Sequence, residues 1–97
     1  MGKIKNASID RLFQVILNLE STDECYRFFD DICTVKELQD IAQRLDVAVL
    51  LSEGKRYQDI AHVLGASTST ISRVNKCLLY GDGGYSAALE KLHTMEE

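Results

Sequence analysis

Apolar residues recur along this chain three and four positions apart, the period of a helix, and no segment alternates as a half-buried strand does. Ile9, Leu12, Phe13, Ile16 and Leu17 form one such stripe. Their spacing predicts a first helix from Ser8, as N-cap, to about Glu20, with Val15 and Leu19 widening its apolar face. Ser21 followed by Glu24 is a capping box, so a short second helix starts there and turns Cys25, Phe28, Phe29 and Ile32 inward. Thr34 and Glu37 repeat that signal. A third helix is expected from them to about Ser52, ended by Gly54. The chain has no proline, so nothing interrupts long helices.

The third helix carries a stripe of Leu38, Ile41, Ala42, Leu45 and Val49, and Val47, Ala48, Leu50 and Leu51 make its second half apolar nearly all round. A helix apolar on every side must be covered on every side. In 97 residues the expected cover is a second copy of the chain. Gly81 to Gly84 is a turn-rich break, followed by a last helix from about Tyr85 to His93 with Tyr85, Ala88, Leu89 and Leu92 on one face. Met95 to Glu97 are expected to fray. The fold class is all-α, about six helices in a single domain over residues 1–97.

Between Tyr57 and Lys76 the residues fit a helix-turn-helix. Ala61 is small where two crossing helices come closest, and Gly65 can take the positive φ of a sharp turn. Ile60 and Leu64 anchor the first helix, Ile71 and Val74 anchor the second, Ala66 packs inside the turn, and Ser67 can cap the second helix. The outer positions of that helix are short or cationic. Thr68, Ser69 and Ser72 are candidates for base contact, and Arg73 and Lys76 for phosphate. Ser67 sits at the N-terminus, where backbone amides favour a phosphate. Gln58 can reach backbone or base, and Lys55 and Arg56 flank the site as phosphate cations. Double-stranded DNA is the expected partner.

The net charge of −4 does not suggest a generally basic nucleic-acid binder, but it is unevenly distributed. Residues 55–80 carry +3 and the remainder −7. One basic window in an acidic body is the footprint of a local DNA-contacting surface. Cys25, Cys33 and Cys77 are odd in number and lack a CxxC pair, so neither a disulfide framework nor a zinc ribbon is indicated. Cys25, among Tyr26, Phe28 and Phe29, reads as a buried free thiol. The N-terminus lacks a secretory apolar region and no run is long enough for a membrane span, so the chain reads as cytoplasmic. His62 falls on the outer side of the motif's first helix, and neither it nor His93 has an Asp or Cys constellation beside it. Adjacent Asp30 and Asp31 point apart on a helix. No catalytic residue, metal site or cofactor is expected, and the chain does not read as an enzyme.

The run Gly65-Ala66-Ser67-Thr68-Ser69-Thr70-Ile71-Ser72-Arg73 resembles the turn and recognition helix of the Trp repressor superfamily. Arg44 to Gly54 is similar to that family's long central helix, and Gly81-Asp82-Gly83-Gly84-Tyr85 resembles its YerC/YecD branch. The strong likeness covers about Thr34 to Tyr85. It implies an intertwined, Trp-repressor-like homodimer reading two half-sites about 34–36 Å apart, a spacing taken over from the family. It also implies a candidate ligand pocket at the matching residues Thr34, Arg44, Thr70 and Arg73. Two positions depart: Val74 stands where the family has a glycine beside the indole, and Cys77 where it has a serine. Valine's branches project into the slot for the ring, which argues against tryptophan as the effector. Arg44 has an alternative role in an ion pair with Asp40, one helical turn away. The expected function is a sequence-specific, homodimeric DNA-binding transcription regulator, and the resemblance makes it a repressor. The alternatives are a protein-interaction adaptor on the same fold and a regulator responsive to a small molecule other than tryptophan.

Overall fold

The computed structural model describes residues 5–96. Six helices run in order, α1 (Ala7–Leu17), α2 (Thr22–Ile32), α3 (Val35–Ser52), α4 (Tyr57–Leu64), α5 (Thr68–Tyr80) and α6 (Gly84–Glu96), with no strand among the described residues. The chain divides into two compact units, Met1–Gln39 and Asp40–Glu97, with α3 running through the boundary.

In the first unit the caps set the helix starts. α1 begins two residues earlier than its sequence suggests, because the cap is Asn6 and not Ser8: the Asn6 side chain accepts from the Ile9 amide at 2.9 Å. The helix also stops at Leu17 rather than Glu20, with Asn18 as C-cap and its side-chain amide donating to the Gln14 carbonyl at 2.7 Å. α2 is capped by Ser21, whose hydroxyl accepts from the Glu24 amide at 3.1 Å. At the start of α3 the box is reciprocal: the Thr34 amide donates to the Glu37 carboxylate at 2.8 Å, and the Glu37 amide donates to the Thr34 hydroxyl at 3.1 Å.

The stripes of α1 and α2 are not buried as expected. Ile9, Leu12, Ile16, Cys25, Phe28 and Phe29 are half-buried, while Phe13 and Ile32 are more than half exposed and Leu17 is 82% exposed. Cys25 is therefore not the buried thiol its neighbours suggested, although all three cysteines are free. Phe28 and Phe29 meet edge to face at 5.3 Å. Neither α1 nor α2 holds a single buried residue.

The second unit contains the core. Val47 and Ala48 of α3, Ile60 of α4, Ala66 of the turn, and Ile71 and Val74 of α5 are buried together, with Leu50, Leu51, Ala61, Leu64, Leu78, Tyr85 and Leu89 packed around them. Each fully buried Val or Ile contributes about 1.5–3 kcal/mol relative to exposure. α3 ends in a Schellman turn: the Lys55 amide donates to the Leu50 carbonyl and the Gly54 amide to the Leu51 carbonyl, with Gly54 at φ +82°. α6 extends past His93 through Met95 and Glu96, beyond the end its apolar face suggests, and Glu97 lies outside the described residues. No helix among the described residues is long and apolar enough to cross a membrane.

Candidate nucleic-acid interface

α4 and α5 are joined by three residues, and each has a local task. Gly65 adopts φ +67° as the C-cap of α4, and its amide donates to the Ala61 carbonyl at 2.9 Å. Left-handed backbone of this kind costs a residue with a Cβ about 1–2 kcal/mol. Ala66 turns into the core at 5% exposure. The Ser67 hydroxyl accepts from the Thr70 amide at 3.1 Å and donates to the Thr70 hydroxyl at 3.0 Å, capping α5. Ala61, the expected close-approach residue, is half-buried at the margin of the core. A further restraint comes from Gln43 on α3, whose side-chain amide donates to the Leu64 carbonyl at 3.3 Å and ties the end of α4 to α3. Gln43 belongs to none of the motifs in the sequence. The available signal was a polar residue four before Val47, on the face the core requires.

α5 packs against both α4 and α6, burying Ile71 completely and leaving Val74 1% exposed. With 3.6 residues per turn, Thr68, Ser72, Lys76, Ser69 and Arg73 occupy an arc of about 140°, centred nearly opposite those two anchors. All five are exposed. The hydroxyls of Thr68, Ser69 and Ser72 and the cations of Arg73 and Lys76 make no hydrogen bond or ion pair inside the chain, among the described residues. Among the expected DNA-contacting residues Lys55, Arg56, Gln58 and Ser67 are exposed too. Two of them are already engaged. Ser67 serves as the cap, and the Arg56 guanidinium sits 3.4 Å from the Asp59 carboxylate. That pair is 73% and 54% exposed, so water screens it and its opening costs little.

The residues of the candidate ligand pocket divide between the two units. Thr34 lies in the first unit, its hydroxyl taken by the Glu37 amide. Arg44 and Thr70 are half-buried, Arg73 is exposed, and no hydrogen bond joins any two of these three. Arg44 makes no ion pair among the described residues, so Asp40 is not its partner despite the spacing. Val74 is directed into the core beside Ile71. No group of three or more His, Cys, Asp or Glu among the described residues is placed to hold a metal.

A glycine turn thus joins a helix pair whose second member is anchored on one side and is hydroxyl-rich and cationic on the other. The Trp repressor protein family model matches residues 7–93. YerC of Bacillus subtilis (strain 168) is 50% identical over 96 residues, spanning 99% of this chain and 92% of its own. Among solved structures, a TrpR-like protein from Eubacterium eligens ATCC 27750 superposes with a TM-score of 0.91 at 47% identity over 96% of both chains. A candidate Trp repressor from Staphylococcus aureus gives 0.90 at 46% identity, over 94% of this chain and 91% of that one. This chain belongs to the Trp repressor protein family.

Proposed function

We propose that this protein is a cytoplasmic, sequence-specific DNA-binding transcription regulator. It acts as a homodimer, presents α5 to the major groove, and represses by occupying its site. The observation that carries the reading is the division of α5: apolar anchors fully buried on one side, and free hydroxyls and cations exposed on the other. A solvated helix needs no such set of short, unbonded side chains around its N-terminal turn, whereas a helix entering a groove needs close approach there. Lys55, Arg56, Arg73 and Lys76 supply phosphate contacts, Gln58 adds a backbone or base contact, and Ser67 holds the helix start in place.

The dimer follows from the first unit. Amphipathic helices are stable when their apolar face is covered. α1 and α2 hold no fully buried residue, and Phe13, Leu17, Tyr26 and Ile32 remain open. Ile41 and Leu45 on α3 are 48% and 41% exposed. A second copy covers these faces and makes residues 1–97 one cooperative domain, as in obligate dimers whose interface resembles a core cut in half.

The pocket residues Thr34, Arg44, Thr70 and Arg73 do not make this a tryptophan-gated protein. The position that must be small for an indole is Val74, and its side chain already packs into the core that fixes α5.

The test is selection of bound duplexes from a random pool, followed by anisotropy titration of the selected sequence. A two-armed palindrome bound more tightly than scrambled duplex, with affinity falling steeply in salt, is the expected result. Equal affinity for all duplexes at physiological salt would remove the regulator reading.

A further inference from the structure

Thr68 differs from every other residue on the outward arc of α5. Ser69 and Ser72 offer only hydroxyls, and a hydroxyl both donates and accepts, so it bonds to any base edge and selects none. Arg73 and Lys76 lie one and two turns further from the helix start, where a docked recognition helix meets the phosphates of the groove wall. The Thr70 side chain is half-buried and its hydroxyl is held by Ser67. That leaves Thr68, exposed at the first helical position with its hydroxyl unbonded among the described residues, as the one residue of this face carrying a methyl group.

We propose that Thr68 is the specificity-determining residue of the reading head and that its methyl selects a thymine in each half-site through the base's C5-methyl group. The inference rests on the DNA-binding reading above and narrows its ligand to duplexes with thymine beneath the start of α5. Methyl-to-methyl contact is the major-groove interaction available to an apolar group, because thymine alone among the four bases presents one. The five residues of the exposed arc include no Asn or Gln, the residues that grip adenine through two hydrogen bonds; Asn75 is half-buried at its edge, and Gln58 lies on α4.

Uracil pairs as thymine does and lacks only the C5-methyl, so it isolates the contact. Selected duplex is titrated with the full-length protein after thymine is replaced by uracil, one symmetric pair of positions at a time. One pair is expected to weaken binding about fourfold per half-site, the equivalent of one buried methyl, and the others to leave it unchanged. Thr68→Ser keeps the hydroxyl and is expected to bind thymine and uracil duplexes alike. Thr68→Val keeps the methyl and is expected to retain the preference. Circular dichroism checks that both variants fold. Sequence-specific binding indifferent to uracil at every position overturns the assignment and leaves the regulator reading intact. A uracil effect that persists in Thr68→Ser also overturns it, by moving the contact to another residue. Loss of all sequence preference in the unmodified protein overturns both.

Discussion

Replacing Lys76 with glutamine tests the electrostatic part of the reading head in isolation. Lys76 lies on the exposed arc of α5, and nothing within the chain holds its ammonium among the described residues. Glutamine is one atom shorter but stays polar and has a similar helix propensity, so the fold is left alone. Lys55, Arg56, Arg73 and Lys76 are all exposed, and a dimer doubles that set. If every one displaces a counterion, log affinity falls against log salt with a slope of about −7. If Arg56 stays with Asp59 in both copies, the slope is about −5. Between 50 and 200 mM salt those slopes correspond to roughly 10³- to 10⁴-fold weaker binding. Lys76→Gln removes one contact per copy and flattens the slope by about 1.8. The assay is anisotropy on one labelled duplex across that salt range, with both proteins measured in parallel. Parallel lines for the two proteins would refute the placement of Lys76 on phosphate. A wild-type slope shallower than about −2 would refute phosphate neutralisation by this face as a whole.

Ser67→Ala removes the cap of α5 and is expected to cost about 1 kcal/mol, seen as a fall of about 4–8 °C in Tm, while Ser67→Asp restores most of it; no shift would mean that the cap is not needed. Val74→Gly empties a fully packed position and places glycine inside a helix, so denaturant unfolding should report a loss of about 3 kcal/mol. Calorimetry of the unsubstituted protein with L-tryptophan should give no binding heat, and micromolar binding would show that Val74 leaves the indole slot open. Leu17→Glu alters a side chain that is 82% exposed in a single chain, so it should be near neutral if the chain acts alone. Sedimentation is expected to show a shift from dimer to monomer, and an unchanged dimer with unchanged Tm would place the interface elsewhere.

The local signals in this sequence were sufficient wherever a few neighbouring residues decide the outcome. The Thr34–Glu37 box, the stop at Gly54, the turn at Gly65 and the cap at Ser67 all lie within about one helical turn, and each formed as its residue types require. The exposed arc of α5 was legible for the same reason, since 3.6-residue periodicity fixes which side chains share a face once Ile71 and Val74 are anchored. Choices between equivalent local partners were not legible: Asn6 and Ser8 are both competent caps, and only the formed bond to Ile9 distinguishes them. Long-range partners were beyond reach altogether. Gln43 finds the Leu64 carbonyl 21 positions away, and Arg44 passes over Asp40, because tertiary packing and not spacing sets which groups meet. Periodicity likewise marked the apolar faces of α1 and α2 but could not say what covers them, since a stripe records a demand for burial and not the surface that meets it.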